Sequence, residues 1–364
     1  MKFYLPVKLY EEENCVYNHR KEIAVLGTKA LIVTGRHSSK MNGSLDDLKN
    51  ALDDEGIKYF VFDEIEENPS TDTVMKAREI GLNEKADIVI GLGGGSPIDA
   101  AKAISIMMMH SDKDEDFLYD KNWNIDDTKA YPVVAIPTTC GTGSEATAVS
   151  VLTIHKKRTK ASIVHRLFPV LSLVDAKYLR FAPTSVIQAT AVDALGHLIE
   201  SYINTAVNDY IKMFIDAGLK TWSKSKDVLL GKRSADINDY KNLMNASTFA
   251  GMAIAHNGTT LPHSLSYMLT YEEGVAHGKA IGYFIPGYVR EADEYTIKYI
   301  VETSGFSDIE EFSSFIYDIC GIDGIPENVL KRSIDSVLAN PAKLNACPYP
   351  VDEDVLRRIS SKNI

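Results

Sequence analysis

The stretch DIVIGLGGGSPIDAAKAISIMMM, Asp87 to Met109, decides the fold. It opens on an apolar, β-branched run to Gly93, passes through three consecutive glycines, Gly93 to Gly95, and closes on an alanine-rich segment. The first part reads as a buried strand. Pro97 fits the first turn of the helix that follows, where its missing N–H costs nothing. Ala100, Ala101 and Ala103 favour propagation of that helix, and Met107 to Met109 read as core filling. Strand, glycine turn and helix in this order form part of a βαβ unit, so the segment predicts a parallel sheet covered by helices.

The same grammar repeats on either side. KALIVTG (Lys29 to Gly35), KYFVFDE (Lys58 to Glu64) and YPVVAIP (Tyr131 to Pro137) read as further strands. SLDDLKNALDDEG predicts a helix capped by Ser44 and closed by Gly56, and a second helix is expected from about Thr71 to Ile80, stopping at Gly81. Beyond Pro183 strand signals fade and helical patterns dominate, as in VIQATAVDALGHLIESYIN and, near the end, EDVLRRIS. The expected organisation is a Rossmann-like α/β domain over residues 1–181 and an all-α domain over residues 182–364. A length of 364 residues agrees, since a single core stops growing at about 250–300 residues.

Composition narrows the chemistry. Hydrophobic residues at 45% and charged residues at 24% are ordinary for a globular protein, which excludes disorder and fibrous repeats. A net charge of −11 repels polyanions, so nucleic acid is not an expected partner. No run approaches the roughly 18 apolar residues of a membrane span, and Lys2, Lys8 and Glu11 interrupt any signal-peptide core. A cytoplasmic protein with no membrane partner is the expectation. Cys15, Cys140, Cys320 and Cys347 form no CxxC pair and read as free thiols, so any bound metal must be held by His and carboxylate.

Two turns have the chemistry to hold a dinucleotide. Gly93, Gly94 and Gly95 let backbone approach a pyrophosphate, and the helix start at Ser96 and Pro97 offers N–H groups and a favourable dipole. Glycine turns also serve packing, and on these residues alone both readings stand. The second turn, PTTCGTGSEAT, supplies Thr138, Thr139 and Thr142 at the carboxyl end of another strand, the edge where open α/β sheets bind ligands. The first strand ends with no acidic residue at its tip. Gly35 leaves room there, Ser38 and Ser39 can hydrogen-bond, and Arg36 or Lys40 can balance a 2′-phosphate, which favours NADP(H) over NAD(H). An ordinary polar loop is the alternative.

In the helical half, His197, His256, His263 and His277 fall in one window with Asp193. Asp193 and His197 are four apart, so a helix points both from one face. His263 and His277 flank Gly274, as two helices meeting at a turn would place them. One carboxylate and three imidazoles suit Fe²⁺ or Zn²⁺ with positions open to substrate, whereas any single histidine alone reads as a core or surface residue. His256 has no partner at helical spacing and reads as a pocket or structural residue.

GLGGGSPIDAAKAI, PTTCGTGSEAT, DALGHLIE and the segment from His263 to His277, in this order, resemble the iron-containing (group III) alcohol dehydrogenases, close to the small bacterial alcohol and 1,3-propanediol dehydrogenases. The resemblance spans nearly the whole chain. It implies a dehydroquinate synthase-like architecture, with a metal and substrate cleft between an N-terminal nucleotide domain and a C-terminal helical domain. By position it puts the metal ligands on Asp193, His197, His263 and His277. The pyrophosphate loop falls on Gly93 to Pro97, the second nucleotide turn on Thr138 to Thr142, and Lys160 near a cofactor ribose. Members that prefer NAD often have Asp where this chain has Gly35. A homodimer is what the family implies. Three features depart from the pattern: Tyr267 stands where many members carry a further histidine, Cys140 replaces a small residue, and ENCVYNHRKE replaces a glycine-containing turn.

The activity these features imply is reversible hydride transfer between a nicotinamide and a small primary alcohol or diol, giving the aldehyde. A bound ion would act as Lewis acid on the substrate oxygen, and Tyr267 is a candidate hydrogen-bonding partner of substrate. A glycerol-type polyol dehydrogenase is the nearest alternative. A lyase of the dehydroquinate-synthase type would call for Lys and Arg around His263 and His277, where Leu, Ser, Tyr, Gly and Ala stand instead. A nucleotide or metal sensor without turnover is the alternative outside enzymology.

Overall fold

The computed structural model describes residues 3–362. Two compact units form: Leu5–Thr139 with Ser144–Ala182, and Cys140–Gly143 with the chain from Pro183 and the residues before Leu5.

The first unit holds strands β1 (Lys8–Glu11), β2 (Lys29–Gly35), β3 (Lys58–Ile65), β4 (Ile88–Gly93), β5 (Val133–Pro137), β6 (Val151–Ile154), β7 (Thr159–Ser162) and β8 (Leu171–Val174). Six of them make one sheet in the order β1-β8-β5-β4-β2-β3, with every pair parallel. β6 and β7 form a separate antiparallel hairpin. The main helices of this unit are α1 (Ser44–Asp54), α2 (Thr71–Asn83) and α3 (Gly95–Met109). Period-two alternation in β2 serves both faces of the sheet. Leu31 and Val33 pack with Val74 of α2 and Ile104 and Met107 of α3. Ala30 and Ile32 pack with Leu45 and Leu48 of α1. Burial on both faces explains why β4 is apolar throughout.

Strand order reverses beside β2: β3 lies on one side of it, and β4 followed by β5 on the other. Such a switch point opens a ligand crevice at the carboxyl ends of the strands, here Gly35, Gly93 and Pro137.

Several local expectations need correction. β1, β8 and the β6–β7 hairpin are not among the strands read from the sequence, because each has only four residues, too few to show a period. The cap of α1 is Gly43, at φ 79°, and Ser44 is already the first helical residue. α2 runs through Gly81 to Asn83. Gly81 is there for close packing, since a Cβ would sit 2.6 Å from Met108 Sδ of α3.

The second unit holds α4 (Thr184–Tyr202), α5 (Asp209–Ser223), α6 (Ile237–Asn257), α7 (Leu261–Glu273), α8 (His277–Arg290), α9 (Glu294–Thr303), α10 (Ile309–Cys320) and α11 (Glu327–Leu338). α4 is the axial helix, packed against α5, α6 and α8. It is buried on all sides from Ala191 to Ser201, which is why its sequence shows little amphipathic contrast. Among the described residues no helix is long and apolar enough to cross a membrane.

Candidate active site

On α4, Asp193, His197 and Glu200 follow one another at spacings of four and three and so share a face. α7 contributes His263 in its first turn. It ends at Glu273, Gly274 reverses the chain at φ 65°, and α8 begins at His277. Gly278 brings the start of α8 onto α4: a Cβ there would lie 2.6 Å from the Ala189 carbonyl carbon and 3.2 Å from Asp193 Cβ. That approach sets His277 against Asp193, and ligand atoms of Asp193, His263 and His277 lie within 4.8 Å of one another.

The electrostatics of this cluster are those of a cation site. His263 Nδ1 donates to the carboxylate of Glu200, so in a neutral ring the lone pair is on Nε2. Nε2 lies 3.4 Å from Asp193 Oδ1, and neither atom has a hydrogen-bond partner among the described residues. Asp193 is 4% exposed and His263 3%. Two buried acceptors facing each other repel unless a proton or a metal ion lies between them. Burial opposes a charge on His263, but Glu200 and Asp193 outweigh it and hold its pKa at about 9. Burial likewise opposes ionisation of Asp193, yet His197, His263 and His277 hold it well below the usual carboxylate range. The donor set thus fits a divalent cation of the iron or zinc type.

His197 stands beside this trio. Its ring stacks on His263 with centroids 4.4 Å apart, and Nδ1 lies 3.8 Å from Asp193 Oδ1. Nδ1 donates to the Gly141 carbonyl at 3.3 Å, which leaves the lone pair of a neutral ring on Nε2. Tyr267, one turn beyond His263, lies over His277 with ring centroids 6.2 Å apart. Burial pushes its hydroxyl up to about 12, so it remains a donor at neutral pH. His256 lies elsewhere: Nδ1 donates to Met252 O at 2.8 Å and the ring stacks on Phe3, which makes it structural.

At the sheet edge, Gly93 adopts φ 144° and a Cβ would sit 2.8 Å from Pro97 Cγ. Gly94 precedes α3, and no side chain caps that helix, so its first N–H groups suit an anion. Gly94 also packs on Thr139, whose Oγ1 would lie 3.0 Å from a Cβ. Thr138 N donates to Gly93 O at 2.8 Å, which ties the two turns together. Gly95 opens α3, and Pro97 is buried in its first turn. Ser96 Oγ accepts from Asn68 N at 3.1 Å, and Asn68 Oδ1 accepts from Lys160 Nζ at 2.5 Å. Thr142 belongs to the helical unit, and the adjacent Gly143, at φ 58°, docks on α6, where a Cβ would lie 2.6 Å from Gly251 N.

At the tip of β2, the Ile65 carbonyl would lie 3.5 Å from a Cβ on Gly35, and Ser38 is exposed. Ser39 needs correction. It is fully buried and its hydroxyl accepts from Thr34 at 2.8 Å, so it braces the turn instead of facing a ligand. Lys40 pairs with Asp63 of β3 at 2.5 Å and, with Arg36 nearby, keeps that carboxyl below its ordinary range. The Cys140 thiol is not placed for oxidation. It is fully buried beside Thr190 Oγ1 at 3.2 Å, and burial pushes its pKa up to about 12.

Asn68, Lys102 and Glu200 carry weight without having been singled out from the sequence. Lys102 Nζ, fully buried, donates to Ser144 O at 2.8 Å, Ser144 Oγ at 2.7 Å and Val149 O at 2.8 Å, pinning the chain that follows the second turn. Glu200 lies three after His197, and that helical spacing to an identified residue was its available signal; Lys102 had only its place on the helix after the glycine turn. Asn68, in a left-handed turn at φ 59°, has no such signal.

The family model for iron-containing alcohol dehydrogenase matches residues 6–176, and that for the Fe-containing alcohol dehydrogenase C-terminal region matches residues 187–307. Long-chain-alcohol dehydrogenase 1 of Geobacillus thermodenitrificans is 28% identical over 362 residues, covering 93% of this chain and 90% of that protein. The 1,3-propanediol dehydrogenase of Citrobacter freundii is 32% identical over 291 residues, covering 79% and 72%. The crystal structure of an iron-containing alcohol dehydrogenase from Thermotoga maritima superposes with a TM-score of 0.90 at 34% identity, covering 98% of each chain. Fold, site and matches together define a metal-dependent dehydrogenase. The chain belongs to the iron-containing alcohol dehydrogenase family and is an NAD(P)-linked alcohol dehydrogenase.

Proposed function

We propose that the enzyme interconverts a small primary alcohol or diol and its aldehyde, with NADP(H) preferred over NAD(H) and Fe²⁺ as resident ion, Zn²⁺ being the alternative. The observation that carries the reading is the convergence of ligand atoms from Asp193, His263 and His277 within 4.8 Å of one another, with Asp193 Oδ1 and His263 Nε2 3.4 Å apart. In this reading Asp193, His197, His263 and His277 hold the ion, which when bound supplies Lewis acidity to the substrate oxygen. Burial of Asp193, His197 and His263 excludes water and so strengthens their hold on charge, while His277 is half-buried. Tyr267 keeps its proton and offers a hydrogen bond on the His277 side of the site.

The nicotinamide cofactor supplies or accepts the hydride. Gly93 to Pro97 receive its pyrophosphate, Thr138, Thr139 and Thr142 orient it, and Lys160, held by Asn68, serves the ribose side. Gly35, Ser38 and the cation at Arg36 support a 2′-phosphate at the tip of β2. For substrate size, the Citrobacter relative is named for 1,3-propanediol and the Geobacillus relative for long-chain alcohols. The propanediol relative supports the small-substrate reading. Residues 1–181 are read as the nucleotide domain and residues 182–364 as the metal and substrate domain. Homodimeric assembly rests on the family resemblance.

The test is spectrophotometric. Protein purified without oxygen and loaded with Fe²⁺ should oxidise NADPH in the presence of C2–C4 aldehydes, with a lower KM for NADPH than for NADH. Protein that binds nucleotide and metal yet oxidises neither cofactor with any short aldehyde contradicts the proposal.

A further inference from the structure

Glu200 is fully buried, lies one helical turn beyond His197 on α4, and belongs to no ligand set described above. Its two oxygens are completely engaged from one direction. Oε1 accepts from Thr260 N at 3.0 Å and His263 N at 3.2 Å; Oε2 accepts from His263 Nδ1. Thr260 Oγ1 lies 2.7 Å from Tyr288 OH, whose proton goes to the Ile203 carbonyl at 2.8 Å. The carboxylate therefore grips both the backbone and the ring of the same histidine, at the start of α7.

A carboxylate taken wholly out of water costs several kcal/mol unless it is bonded on all sides. A structural role at this place, closing the N-terminus of α7, needs only the backbone N–H bonds to Thr260 and His263. The bond to His263 Nδ1 goes further, because it fixes tautomer and rotation of the ring. With the proton on Nδ1, Nε2 presents its lone pair, and it is Nε2 that faces Asp193 Oδ1. His197 is oriented by the same device, through the Gly141 carbonyl on its Nδ1. Metal-binding histidines are commonly held by a carboxylate or carbonyl on the second ring nitrogen, and loss of such a partner costs 10- to 100-fold in metal affinity.

We propose that Glu200 is the positioning residue of the metal centre, acting through His263: it locks the ring with Nε2 toward the ion. Its second effect is on charge. With Asp193 it supplies two negative charges, which match a divalent ion better than a monovalent one. The inference rests on the metal-site reading above.

The test is a titration of metal-free protein with Co²⁺ alone, followed by its visible d–d bands and by equilibrium dialysis. Wild type should bind one Co²⁺ per chain. Glu200→Gln should bind it 10- to 100-fold more weakly, with altered d–d bands and an unchanged NADPH affinity. In an His263→Ala background, Glu200→Gln should produce no further loss, because the route through the ring is gone. Equal Co²⁺ affinity and identical bands in Glu200→Gln overturn the inference and leave the metal site standing. Failure of wild type to bind Co²⁺ overturns the metal-site reading itself. If Glu200→Gln does not fold, ¹⁵N-histidine NMR of Zn²⁺-loaded wild type decides: a proton on His263 Nδ1 supports the role, and a proton on Nε2 refutes it.

Discussion

Gly278 offers a direct way to move one proposed ligand without touching it. In Gly278→Ala the new Cβ would lie 2.6 Å from the Ala189 carbonyl carbon and closer still to its oxygen. Both are backbone atoms of α4, so no rotamer change relieves the clash. Carbon atoms pack at about 3.5 Å, so α8 must retreat from α4 by about 1 Å at its first turn. His277 is the adjacent residue and must move with it, whereas metal–ligand distances tolerate only about 0.2 Å. Metal affinity should fall at least about 100-fold, roughly 2.7 kcal/mol, with a further cost of about 1–3 kcal/mol in fold stability. The assay is competition of Zn²⁺-loaded protein against a chelator, with thermal unfolding of the metal-free form alongside. Gly282→Ala, one turn on, is the control. Its Cβ would crowd Cys320 Sγ first and then Val192 Cγ1 at 2.7 Å, side-chain atoms and not the α4 backbone, so stability should drop while metal affinity stays within about threefold. Wild-type metal affinity in Gly278→Ala would refute the placement of His277 in the ligand set.

Other consequences are open to simpler measurement. Lys102→Met leaves the carbonyls of Ser144 and Val149 without their buried donor and should cost about 3–5 kcal/mol in denaturant unfolding, with a raised KM for NADPH. Tyr267→Phe removes a hydroxyl that stays protonated at neutral pH; kcat/KM for aldehyde should fall about 3- to 10-fold while metal content is unchanged. Asp87 accepts from Thr28 N at 2.9 Å, Lys29 N at 2.7 Å and Thr28 Oγ1 at 3.0 Å. Burial opposes its ionisation, but these bonds hold its pKa below the ordinary value, so its contribution is present above about pH 4 and fades as pH falls through the folded-state pKa. Asp87→Ala should therefore lose about 1–3 kcal/mol at pH 7, and the gap from wild type in thermal melts should narrow below about pH 4.

What could be read from the sequence followed the reach of local patterns. β2, β3, β4 and β5 each show an aliphatic or aromatic run of about four residues or more, and all four appear in the sheet within two residues of their expected bounds. β1 and β8 pair along four residues apiece, at positions set by a partner more than a hundred residues away, which no local pattern can reveal. Gly43 and Gly81 show the same limit. Which glycine caps and which one packs depends on backbone handedness and on what lies opposite.

At the candidate site, spacing on α4 and the turn at Gly274 placed Asp193, His197, His263 and His277 in register along the chain, and the structure brings three of them within ligand distance of one another. Spacing could not reveal that Ser39 faces inward toward Thr34, or that Glu200 holds His263. Both depend on side-chain direction across elements, set by how β2 meets its turn and how α7 starts against α4.

The central claim is a single metal ion on which hydride transfer depends. Protein prepared free of metal and oxygen should be titrated with Fe²⁺ while NADPH oxidation by a short aldehyde is followed at 340 nm. Activity should rise from near zero and level off at one Fe²⁺ per chain, and Asp193→Ala should abolish the rise while NADPH binding persists. Full turnover in metal-free protein, or saturation unaffected by Asp193→Ala, contradicts the account.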